Sequence, residues 1–300
     1  MLPLRGHLER HGCALERIGV RARRASQRVP ALLVGLHHQH VCAARAEREH
    51  EPWAPSLVRV VALARGAAAS ARAMAFRAEH ALRHVPLSTP ERVALTLLGS
   101  AGALASHSRA DLVAAVGELT GEGALRRLKQ RIASTSEGSE ILREQPRVTS
   151  DALRSARRCE AGTFGSAYSH FMDTRSFDPS ERPSVRFVDD PELAYVACRA
   201  REAHDFWHAL TGCPASVDGE IALKAFEFAN TGLPVGLLSL AASARVPQSR
   251  RSRLFNELIP WGLSSGNAAF PLPAVFFEQR LDQPLRDLQR ELRIRPAPFY

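Results

Sequence analysis

From His84 onward, apolar residues recur every three or four positions, the period of helices that bury one face. "LSTPERVALTLLGSAGALA" carries Ser88 at an N-cap position, Pro90 in the first turn and Glu91 three residues after the cap, a capping-box pattern. "SRADLVAAVGEL", "GALRRLKQRIA" and "TFGSAYSHFMD" continue in the same period, with turns expected at Gly121, Gly138 and Pro146. No stretch alternates polar and apolar residues as a half-buried strand would. The pattern predicts an all-α fold, a compact multi-helix domain over residues 84–300.

Two later segments predict the helices that matter most. "RFVDDPELAYVACRAREAHDFWHALTG" reads as one helix, with Asp190 as N-cap, Pro191 at the first position and Gly212 as the stop. Leu193, Ala197, Ala200, His204 and His208 fall on one stripe, so both imidazoles should face inward. After a short turn through Pro214, "SVDGEIALKAFEFANTGLP" predicts a second helix capped by Ser216 and ended by Gly232 and Pro234. So short a connection predicts antiparallel packing of the two.

Residues 1–83 have no such order. They hold 14 Arg and no Lys against 6 Glu and no Asp, a net of +8 out of the chain's formal +9. The basic character therefore belongs to this extension, and the remaining chain has no charge signature of a nucleic-acid partner. An Arg-rich, acid-poor N-terminus is what a mitochondrial import signal looks like, and an unselected extension would look much the same. Residues 31–83 read as linker or weak helix. Five scattered cysteines without a CxxC pair argue against disulfides and a thiolate zinc site. "GLPVGLLSLAASA" is shorter than the roughly 20 apolar residues of a spanning helix.

The candidate chemistry lies in "HDFWHALTGCPASVDGE". Side chains at i and i+4 sit about 5–6 Å apart at Cβ, so His204 and His208 can reach one ion. Glu220, early in the facing helix, can supply an oxygen. Asp205, about 100° round the helix from His204, is either a fourth ligand or an acceptor that orients a ligand histidine. A nitrogen and oxygen donor set suits zinc, and also iron or manganese. Spacing alone leaves open that both histidines are hydrogen-bonded core residues and that Glu220 pairs with Lys224 on the surface. The segment is not the HExxH of metalloproteases. An HD-type phosphohydrolase would need a further His and Asp, nominally His170 and Asp282.

The blocks "GTFGSAYSHFMD", "RFVDDPELAYV", "REAHDFWHALTG", "GEIALKAFEFANTGLP" and "NELIPW", in this order, resemble the ubiquinone biosynthesis protein four family. The resemblance runs from about His84 to "LRDLQRELRI", and the family's HDxxH with a following Glu is matched at His204, Asp205, His208 and Glu220. The chain departs from the family at "LAASARVPQSRR", where a Gly-Pro is common. The resemblance implies an all-helical protein with a divalent metal, usually zinc, held by these four residues. It further implies a peripheral place on the matrix face of the mitochondrial inner membrane, in a complex with other coenzyme Q biosynthesis proteins. The implied activity is removal of the C1 carboxylate from a polyprenylated 4-hydroxybenzoate, with or without C1 hydroxylation. A non-catalytic scaffold that binds prenylated lipid is the alternative. Phe206, Trp207 and Phe226 are candidates for a tail-binding groove.

Overall fold

The computed structural model describes residues 57–105, 109–243 and 246–299. The proposed import segment and the tract 31–56 lie outside them. Among the described residues there is no strand, only an isolated bridge between Thr163 and Pro284. The helices are α1 (Leu57–Arg83), α2 (Thr89–Ala105), α3 (Ala110–Thr120), α4 (Glu122–Ala133) and α5 (Ser136–Glu144). They continue with α6 (Ser150–Ala156), α7 (Phe164–Asp173), α8 (Pro191–Glu202), α9 (His204–Thr211) and α10 (Val217–Thr231). The last four are α11 (Val235–Ala242), α12 (Gln248–Arg253), α13 (Ile259–Ala268) and α14 (Leu285–Glu291). The fold is all-α, as the periodicity predicts.

Side-chain caps explain where many of these helices begin. Thr135, Thr149, Thr163, Asp190 and Ser216 each have extended backbone and accept a hydrogen bond from an amide in the first turn. At Ser88 half of the capping box forms: Glu91 reaches back to accept from the Ser88 amide at 2.8 Å, while Ser88 Oγ donates to the same carboxylate. Gly138 does not mark a turn. The chain turns at Ser134–Thr135, and Gly138 lies in the first turn of α5, its amide donating to Thr135 Oγ1. Gly212 and Gly232 end α9 and α10 in the left-handed region, at φ 74° and 73°.

Two apolar clusters hold the helices together. One gathers α6, α7, α9, α10 and the C-terminal residues around Phe164, Tyr168, Phe206, Trp207, Leu210 and Phe226. The other joins α1, α4, α5 and α8 through Phe76, Leu125, Leu128, Ile141, Leu193 and Tyr195. Between them runs the buried guanidinium of Arg199, which donates to Glu278 and to the Val275 carbonyl. A buried charge so paired is tolerated, whereas the same charge alone would be costly.

The tract expected as linker or weak helix is, from Leu57 to Arg83, a 27-residue helix. Its Phe76 packs edge-on to Tyr195 at 5.4 Å, Arg72 pairs with Glu144, and Glu79 pairs with Arg147. The compact unit accordingly spans Leu57–Tyr300. Long Ala-rich runs hide their periodicity because alanine sits equally well on either face. No helix among the described residues is long and apolar enough to cross a membrane.

Candidate metal centre

The predicted single helix over 191–211 is two. The helical pattern breaks at Ala203, whose amide still donates to the Arg199 carbonyl, and α9 starts afresh at His204. The stripe survives the break, and His204 and His208 are both buried, at 8 and 1 % exposure. Residues 212–216 then turn the chain into α10. Gly219 lies so close to this turn that a Cβ there would meet the Pro214 carbonyl oxygen at 1.9 Å. That approach brings Glu220 to the histidines.

His204, His208 and Glu220 offer one ligand atom each within 4.8 Å of one another. The two Nε2 atoms are 3.1 Å apart, His208 Nε2 is 3.1 Å from Glu220 Oε1, and His204 Nε2 is 3.6 Å from Glu220 Oε2. Tetrahedral ligands at about 2.0–2.2 Å from zinc are spaced by roughly 3.3–3.5 Å, and the three separations straddle that value. Both Nδ1 atoms are engaged elsewhere: His204 with Glu227 Oε1 at 2.5 Å and His208 with the Cys213 carbonyl at 2.9 Å. Nδ1–H bonded to these acceptors leaves two Nε2 lone pairs converging with a carboxylate. Such a donor set fits a cation.

In the absence of an ion, the same groups settle their charges on one another. Burial would raise the Glu220 carboxyl, but the two imidazoles hold it far below its ordinary value. Burial lowers the pKa of His208, only partly offset by Glu220. For His204, burial and Lys224 disfavour the charged ring, yet Glu227 and Glu220 outweigh them and its pKa is raised. Glu227, also buried, is lowered to about 2 by Lys224 and His204.

Asp205 does not join the group. It is buried and paired with Arg182 on the wall of the same cleft, and none of its oxygens is among the three grouped ligand atoms. His170 and Asp282 are exposed and stand outside the cluster as well. Lys224 pairs with Glu227 at 2.7 Å, not with Glu220. Glu227 escaped the sequence reading, although it follows Glu220 by seven residues and so shares its helix face.

His204 and Glu220 line a cleft of about 880 Å³, within the range of small-molecule sites. Ala103, Val113, Ala114, Leu125, Ile221 and Val235 supply apolar wall, and Arg182, Lys224 and Glu227 supply polar groups. Of the three aromatic candidates only Trp207 lines the cleft, and its indole N–H has no protein partner. Phe206 packs against Tyr168 and Phe277, and Phe226 against Trp261, as core. Behind the site, the C-terminal segment holds the end of α9. Gln289 Nε2 donates to the Leu210 carbonyl and the Ala297 amide to that of Thr211, both at 2.7 Å.

Residues 82–298 match the family described as coenzyme Q (ubiquinone) biosynthesis protein Coq4. The chain belongs to the Coq4 family. Its place is thus in ubiquinone biosynthesis. The ubiquinone biosynthesis protein coq4, mitochondrial, of Aspergillus niger is 43 % identical over 218 residues, covering 72 % of this chain and 75 % of the relative. The protein of the same name from Talaromyces marneffei is 42 % identical over 218 residues, with 72 and 76 % covered. A solved structure from Nostoc punctiforme superposes with a TM-score of 0.54 at 22 % identity, over 66 % of this chain and 95 % of that one. That similarity bears on the fold alone.

Proposed function

We propose that this Coq4-family protein is a lyase that removes the C1 carboxylate of a polyprenylated 4-hydroxybenzoate, using a divalent metal, zinc before iron or manganese, held by His204, His208 and Glu220. The observation that carries the reading is the convergence of three ligand atoms, with both Nδ1 atoms committed elsewhere, on the wall of a largely apolar cleft. The ion would supply Lewis acidity toward a phenolic or carboxylate oxygen of the ring. The chain's own groups then do the rest. The apolar wall takes the isoprenoid tail and keeps water from the reacting carbon. As the bond from C1 to the carboxylate breaks, carbon dioxide leaves and a proton takes its place; a hydroxyl in that position would require a two-electron oxidant such as dioxygen with a reductant. Asp205 serves by holding Arg182 at the cleft. Mitochondrial residence, at the matrix face of the inner membrane and among other coenzyme Q biosynthesis proteins, belongs to the same proposal and is supported by the names of the fungal relatives.

A second reading, the lipid-binding scaffold, draws on Val93, Leu97 and Leu98 of α2, exposed at 54, 67 and 71 %. The test is release of labelled carbon dioxide from a substrate labelled in its C1 carboxylate. Glu220→Gln keeps the shape and removes the charge, so turnover should fall to background with helicity unchanged. Full turnover in that variant would sink the enzyme reading as stated. Wild-type protein that binds prenylated lipid without releasing carbon dioxide would establish the scaffold.

A further inference from the structure

Around His204 Nδ1 stand two groups with opposite demands. Glu227 Oε1, at 2.5 Å, is an ionised oxygen that can only accept, so it requires Nδ1–H. Lys224 Nζ, at 3.2 Å, can only donate, so it requires a bare Nδ1 lone pair. The two choices put the ring proton on opposite nitrogens, and only the first leaves Nε2 free to face His208 and Glu220. Geometry decides between them. The Glu227 contact is shorter and charge-assisted, and Lys224 already directs a proton to Glu227 Oε2 at 2.7 Å. The side chains of His204 and Glu227 are 10 and 9 % exposed, so little water competes for these bonds.

We infer that Glu227, braced by Lys224, is the positioning residue of the centre: it holds His204 as the Nδ1–H tautomer and aims Nε2 at the point where His208 and Glu220 meet. For affinity, this rests on the metal reading above. Glu220, Lys224 and Glu227 stand at i, i+4 and i+7, so one face of α10 supplies a ligand and also the group that sets the opposing ligand. The two histidines are thereby made unlike. His208 leans on a neutral backbone carbonyl, whereas His204 leans on a carboxylate, which makes its Nε2 the stronger donor. Removing the carboxylate from such a pair commonly costs about 10–100-fold in metal affinity.

The experiment uses the full chain with ¹⁵N-labelled histidine, free of metal and at a pH above the raised His204 pKa so that the ring carries a single proton, and long-range ring ¹⁵N–¹H spectra of wild type, Glu227→Ala, Glu227→Gln and Lys224→Met. A His204→Asn spectrum assigns the signals. Zinc affinity of each variant is then measured by competition with a chromogenic chelator. Wild type should show His204 protonated at Nδ1, and Glu227→Ala should move the proton to Nε2 as Lys224 takes over Nδ1. Glu227→Gln still offers an accepting oxygen, so it should keep the tautomer while binding zinc more weakly than wild type. Lys224→Met should keep the tautomer and lose affinity by less than Glu227→Ala. A wild-type His204 protonated at Nε2 overturns the inference, and so does unchanged zinc affinity in both Glu227 variants. Should Glu227→Ala fail to fold, the Gln variant and the wild-type spectrum decide. Wild type that takes up no zinc removes the metal reading, while the spectra still judge the tautomer.

Discussion

His80 shows how one buried ring writes itself into the pH dependence of stability. It is 7 % exposed, stacked on Phe76 with the His84 ring 5.2 Å away, and no side chain hydrogen-bonds either ring nitrogen. Burial first, and His84 second, hold its pKa below the ordinary 6.5. The folded state therefore prefers neutral His80, and its contribution is full above pH 6.5 and lost as the pH falls below that value. Urea titrations from about pH 7.5 to 5.5 should show stability declining, and His80→Leu should flatten that decline. An identical slope in the variant would assign it to other groups. Within the candidate centre, spacing put His204 and His208 side by side, because i and i+4 on a buried stripe leave little choice of direction, and the short turn put Glu220 opposite them. Asp205 was legible as a polar neighbour but not in its partner. Arg182 is 23 residues away in sequence, and no local pattern says which cation a buried carboxylate will find.

At the scale of elements, the close turn between α9 and α10 sets the distance between the histidines and Glu220. Gly219→Ala places a methyl against the Pro214 carbonyl, which is backbone and cannot swing aside. Relief requires the first turn of α10 to move, at a cost of roughly 1–3 kcal/mol. The variant should melt at a lower temperature in calorimetry and bind zinc more weakly than a surface control such as Gly123→Ala, where the nearest contact is a mobile arginine tip. Equal affinity in both would mean that α10 accommodates the methyl without moving Glu220. Helix starts were readable because capping is local: Asp190 and Ser216 announce themselves within four residues. The break at Ala203 was not readable, since no proline or glycine marks it.

For the whole molecule, the unresolved question in the sequence was where the folded body begins. Apolar periodicity is clear only from His84, yet α1 contributes Phe76 to the second cluster and two ion pairs to α5 and the following loop. A chain starting at His84 should therefore unfold several degrees below one starting at Leu57, because Tyr195 and Arg147 lose their cover. Matching thermal midpoints would show α1 to be dispensable. Long-range docking of this kind depends on partners that lie 60 to 120 residues away, as with Phe76 and Tyr195, and so leaves no trace in a local window.

The Leu210 and Thr211 carbonyls that end α9 accept from Gln289 Nε2 and the Ala297 amide, in a segment that follows every ligand residue in sequence. The helix that carries both histidines therefore depends on a segment far from it in sequence for its closing partners. A chain cut off near residue 285 would keep every ligand residue yet lack the brace behind them.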